Sequence, residues 1–101
     1  MKFIARWWQN YRESVLLKQV SQGDTKAFTK LFVQYANVIF YLAKRDNLPD
    51  EIARSLQRRF HERLWANRHV LDRDDIFNQL LIDSVKEVLR CVLEYGSPAQ
   101  K

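Results

Sequence analysis

The chain is 101 residues long, with 17 basic against 12 acidic side chains, a formal net charge of +5, and 47% hydrophobic residues including aromatics. This length fits one domain, or part of a larger parent architecture, and its apolar content excludes a polar disordered tail as the whole story. Cys91 is the only cysteine, which excludes an internal disulfide, and two glycines exclude a glycine-rich phosphate loop.

The first segment, 3–21, places Ile4, Trp7, Trp8, Tyr11, Val15 and Leu16 at three- and four-residue steps, the spacing of one helix face. Gly23 breaks that pattern. Asp24 suits the next N-cap, because its carboxylate can accept from the free amides of a first turn. The second helix is predicted over 25–45, with Phe28, Leu31, Phe32, Tyr35, Val38, Ile39 and Leu42 on one stripe.

Asn47-Leu48-Pro49-Asp50 ends it, since proline lacks the amide that a helix interior needs and suits a first turn. A third helix is predicted over 49–67 from Ile52, Leu56, Phe60 and Leu64, with Trp65 beside the stripe. Arg68 to Asp75 forms a polar connection, and Asp74 or Asp75 can cap the fourth helix. That helix, 75–95, carries Phe77, Leu80, Leu81, Ser84, Val85, Val88, Leu89 and Val92, and Gly96-Ser97-Pro98 stops it. Strand alternation is absent. The expected architecture is all-α: a compact three-helix bundle over 23–95, an N-terminal aromatic and basic helix over 1–22, and a disordered tail at 96–101.

No catalytic constellation is evident. His61 and His69 lie eight residues apart across a helix end, and His61 is expected to be a solvated or partly packed ring. Asp72, Asp74 and Asp75 lack the glycine and terminal glutamate of a calcium loop, so capping is their expected role. Cys91, beside Val88 and Val92, is expected to pack as a small hydrophobe. Neither a cofactor nor a metal is expected. With no run of about 18 apolar residues, no membrane span is expected either. Polar residues interrupt the N-terminal apolar patch too early for a signal peptide, so the cytoplasm is the expected compartment.

Charge is uneven. Residues 1–30 carry six basic side chains against two acidic, and residues 72–94 carry three against six. Arg54, Arg58, Arg59 and Arg63 give the third helix a basic flank, either a solvated face or a surface for an acidic partner. Trp7, Trp8 and Tyr11, with Lys2, Arg6 and Arg12, either pack on the bundle or form an exposed anchor.

Certain of these elements occur together in one family. Gly23, Asp24, Ala27 and Phe28 match a Gly-Asp-x-x-Ala-Phe turn; Leu31, Phe32 and Tyr35 match the stripe of the next helix. Leu64, Trp65, Asn67 and Arg68 match Leu-Trp-x-Asn-Arg, and a Phe-led helix starts at Phe77. In this order they resemble region 2 of bacterial sigma factors, closest to the extracytoplasmic-function group, over about residues 12–95. The resemblance implies transcription initiation: docking on core RNA polymerase and binding of promoter DNA.

At the positions where the family grips polymerase with an acidic–Leu–x–Gln–acidic pattern, this chain has Ser55, Leu56, Gln57, Arg58 and Arg59. Where the family reads the minus-ten element, it has Val85, Lys86, Glu87 and Cys91, with Lys86 and Arg90 as the remaining DNA-contact candidates. The family's second domain, which reads the minus-thirty-five element, is not expected after Gly96. Two readings stay open: a sigma-type regulator with weakened promoter reading, or a degenerate sigma-like module that binds an anti-sigma factor, a sigma partner or itself. In the second, Arg54, Arg58, Arg59 and Arg63 with Trp7, Trp8 and Tyr11 are the expected contacts.

Overall fold

A computed structural model describes residues 13–96 of the chain. These residues form α1 (13–21), α2 (Thr25–Arg45), α3 (Asp50–Ala66) and α4 (Ile76–Cys91), and no strand occurs among them. A short 3-10 turn, Arg68–Val70, links α3 to α4, and a π turn, Val92–Gly96, comes after α4. Within the described residues no helix is long and apolar enough to cross a membrane. Trp7, Trp8 and Tyr11 lie outside the described residues.

The corners arise from backbone chemistry. Gly23 has φ +96°, a left-handed conformation that glycine alone enters without a Cβ penalty. Its amide bonds the Val20 carbonyl at 3.0 Å and the Asp24 amide bonds Gln19 at 3.0 Å, which satisfies the last carbonyls of α1. Asp24 then caps α2, accepting from the Ala27 amide at 3.0 Å. The next corner repeats the device with Asn47 at φ 64°. There the Asn47 and Leu48 amides bond Lys44 and Ala43, and Leu48 is fully buried. Lys44 adds to this corner: its ammonium donates to the Leu48 carbonyl at 3.0 Å and pairs with Asp50 at 2.6 Å.

The core lies where the three long helices meet. Leu31, Ile39 and Ala43 of α2 pack with Ala53, Leu56, Phe60 and Leu64 of α3 and with Phe77, Leu80 and Val88 of α4. Phe32 stacks on Phe60 at 6.0 Å, and Tyr35 meets Phe77 edge-on at 5.2 Å. Val20 and Leu48 close the ends. α1 joins through Leu16, Leu17 and Val20, and the Tyr35 hydroxyl donates to Glu13. Burial pushes the Glu13 carboxyl above its ordinary range.

The structure corrects several sequence-based expectations. α4 begins at Ile76, and Asp75 makes no side-chain cap bond, while Asp74 sits at φ 43°. Regular α4 ends at Cys91, because the last residues widen into the π turn. Val38 and Leu89, expected on core stripes, are 47% and 50% exposed. Val38 lies at the margin of the buried arc of α2, whereas Leu89 lies on the far side of α4 from Phe77, Leu80 and Ser84. Cys91 is only partly buried, packed at the core's edge.

Gly23→Ala should test the first corner. A Cβ there would meet no atom within 4 Å, so the whole cost is conformational. Chemical denaturation should show a loss of about 1 kcal/mol with an unchanged denaturant slope.

Candidate functional site

The four arginines of α3 divide between two faces. Ala53, Leu56, Phe60 and Leu64 form a buried ridge, and helical geometry puts Arg59 and Arg63 on its α4 side. Arg54 and Arg58 fall on the opposite side, toward α2.

On the α4 side stands an acid that its charge alone would assign to the surface. The Glu87 side chain is 7% exposed, and Arg59 and Arg63 both bind its carboxylate. Arg63 Nη2 lies 2.6 Å from Oε1, and Arg63 Nη1 reaches Ser84 Oγ at 3.3 Å. A carboxylate removed from water loses hydration that only charged, well-placed donors can replace. Two guanidinium groups, each partly in solvent, supply that replacement. Burial pushes the Glu87 carboxyl up, but the Arg59 and Arg63 hydrogen bonds and charges outweigh it and hold it below the usual glutamate range.

Arg59 and Arg63 are therefore internal counter-ions first, which corrects their place in a free basic flank. The α4 surface is also less acidic than its sequence, since Glu87 turns inward. Lys86 and Arg90 are both exposed and one turn apart, but Asp83 shares their side of the helix. Arg90 also borders a cavity of about 160 Å³ with Arg59, Glu87, Cys91, Glu94 and Tyr95. Burial, with the Glu87 and Glu94 charges, pushes the Cys91 thiol up and keeps it protonated at neutral pH.

The other face of α3 gathers groups that the sequence left separate. Arg54, Arg58, His61 and Trp65 advance in steps of four, three and four along one seam of α3 about 16 Å long, and Arg68 of the following turn lies over Trp65 at its end. The Arg54 guanidinium lies 5.8 Å from the Phe40 ring centre. His61 meets Phe32 at 4.9 Å and Phe28 at 5.4 Å, edge-on in both cases.

Trp65, 44% exposed, is gripped on two sides. Phe28 meets it edge-on at 5.1 Å, and Arg68 lies 3.8 Å over its ring while donating to the Trp65 carbonyl at 2.7 Å. The guanidinium is drawn to the indole face, and the backbone bond fixes its position. Asn67 anchors the turn through a 2.8 Å bond to the Arg63 carbonyl. Two structural helix-end residues thus hold the aromatic part of the seam. In the sequence Arg54 and Arg58 stood out by charge and Trp65 and Arg68 by their place in the Leu-Trp-x-Asn-Arg match, while only the spacing joined them to His61.

Chemically, the seam offers guanidinium donors and an aromatic face held in fixed geometry, which are the means to bind anionic groups beside apolar ones. Among the described residues, no three His, Cys, Asp or Glu side chains converge as metal ligands. No family model, curated protein or solved structure matches the chain.

Glu87→Gln should separate the buried cluster from the rest. A carboxyl whose folded pKa is depressed adds stability above its unfolded pKa and loses it as pH falls through the folded one. Native stability should therefore decline below about pH 4.5 in the parent. That acid-dependent decline should shrink in Glu87→Gln, which should also cost about 1–3 kcal/mol at pH 7. Urea titrations from pH 3 to 7 measure both effects.

Proposed function

We propose that the chain is a sigma region 2-like module of transcription regulation that acts by binding a protein partner through the α3 seam. The carrying observation is the alignment of Arg54, Arg58, His61 and Trp65 on one exposed face, with Trp65 held by Phe28 and Arg68. Tryptophan and arginine concentrate binding energy at protein interfaces, and a pre-positioned ring loses little freedom on docking. The cations call for an acidic surface on the partner, either core RNA polymerase or a sigma or anti-sigma protein.

The sigma reading rests on the resemblance of the Gly23-Asp24 corner, the Leu31-Phe32-Tyr35 stripe, the Trp65-Asn67-Arg68 end and the Phe77-led helix. Ser55 and Arg59 stand where that family carries acids and Arg58 where it carries Gln. With Arg59 bound to Glu87, the exposed Arg58 favours a partner surface of opposite sign to the family's usual one. Like charges set against each other at an interface cost several kcal/mol.

One observation favours a second reading, promoter-strand binding through Lys86 and Arg90: Glu87 turns inward and withdraws an acid from beside them. Against it, Asp83 and Glu94 remain exposed on α4 and its extension. Phosphate contacts dominate nucleic-acid affinity, and two cations supply little.

Two titrations separate the readings. Arg54→Glu with Arg58→Glu, and separately Trp65→Ala, should weaken binding to purified core polymerase or an anti-sigma protein by about tenfold or more. A minus-ten non-template strand should bind no tighter than about 1 μM at about 150 mM salt. Sequence-selective strand binding that Lys86→Ala and Arg90→Ala abolish would replace the first reading with the second. Unaltered protein binding in the α3 variants would exclude the seam as the binding surface.

A further inference from the structure

α4 is apolar round most of its circumference. Its inner arc, Phe77, Leu80 and Val88 with Ser84 and Glu87, is buried in the bundle. Its outer arc is not covered. Ile82 is 47% exposed, Leu89 50% and Leu93 74%, with half-buried Val85 between them. Asn78, Ile82, Val85, Leu89 and Val92 step by four, three, four and three, the period of a helix-pairing seam. Val92 packs against the edge of the core, but the aliphatic surface of Ile82, Val85 and Leu89 has no role there.

We propose that the outer face of α4 docks an amphipathic helix of a partner protein, one whose flanks carry acidic side chains. Apolar anchors at this period fit the apolar stripe of a second helix. The border of the seam sets the partner's charge. Lys86 and Arg90 stand exposed along it and Glu87 has turned into the bundle, while the exposed acids lie beyond these cations, Asp83 further round the helix and Glu94 on its extension.

Other occupants fit less well. Two copies of α4 packed antiparallel about a two-fold axis would set this border against itself, with Lys86 of each copy beside the other's. A parallel pair would face the cations with the apolar edge at Leu81. Unpaired bases stack on aromatic rings, and this arc presents branched aliphatic side chains. The face is separate from the α3 seam, and the inference does not depend on the function proposed for that seam.

The test uses the full chain and two fluorescent helical peptides of about 16 residues, long enough to cover the seam. Both carry leucine at the seam positions; one has glutamate flanks and its twin has lysine flanks. The glutamate peptide should bind on the order of 10–100 μM, about tenfold tighter than the lysine twin. Leu89→Asp, at a half-exposed position, should abolish binding with the thermal melt preserved. Lys86→Glu with Arg90→Glu should reverse the preference between the peptides, and the Arg54→Glu, Arg58→Glu variant should bind as the parent does. Equal binding of the twins, no binding of either, or loss of binding in the α3 variant would overturn the proposal. So would self-association in sedimentation equilibrium that Leu89→Asp removes, which would assign the face to a second copy.

Discussion

One buried carboxylate decides how this molecule presents its charge. Glu87 lies between α3 and α4, and a carboxylate there is tolerable only with donors close by. Arg59 and Arg63 meet that demand, and Ser84 takes a further guanidinium nitrogen. The pairing fixes the rotation of α3 against α4, because turning either helix would leave an unmatched charge away from water. That rotation in turn determines what remains outside. Arg54 and Arg58 face solvent on the far side of the buried ridge, and Lys86 and Arg90 stay free of the acid between them in sequence.

The two outward surfaces differ in kind. On α3 the aromatic groups are held in place from behind: Phe28 and Phe32 support His61 and Trp65, and Arg68 covers the indole. Those supports belong to the core and to a helix end, so the geometry of the face is set by folding itself. On α4 the surface is aliphatic, with few polar groups to impose one geometry. A rigid, charged face suits selective recognition. A smooth aliphatic one is governed mainly by how much surface it can bury.

Much of the architecture was legible in the residues. Gly23 and Asp24 announce a helix end and a helix start through backbone strain and capping, both of which are local. The Leu56, Phe60 and Leu64 spacing marks the ridge of α3 for the same reason. What escaped depends on contacts between distant residues. Glu87 looks like a surface acid, and nothing local shows that Arg59 and Arg63, more than twenty positions earlier, will neutralise it. A hint was present, since Ser84, Val88 and Cys91 place position 87 among inward-facing neighbours. Val38 and Leu89 misled in the opposite sense. Periodicity locates an apolar arc but does not say how much of it another helix will cover. Within the candidate site, Arg54 and Arg58 stood out by charge, whereas His61, Trp65 and Arg68 joined them only once the α3 face was assembled.

The Lys44 corner has a consequence for the order of assembly. One ammonium at the end of α2 holds both the Leu48 carbonyl and Asp50 at the start of α3. The loop it closes is only a few residues long, so little chain entropy opposes its formation. Phe32 and Phe60 then come together as the two arms fold back on each other. This helical hairpin can form from neighbours in sequence before α4 arrives, and short-range contacts of that kind are made fastest. Docking of α4 on such a hairpin carries Glu87 to two arginines spaced one turn apart on α3.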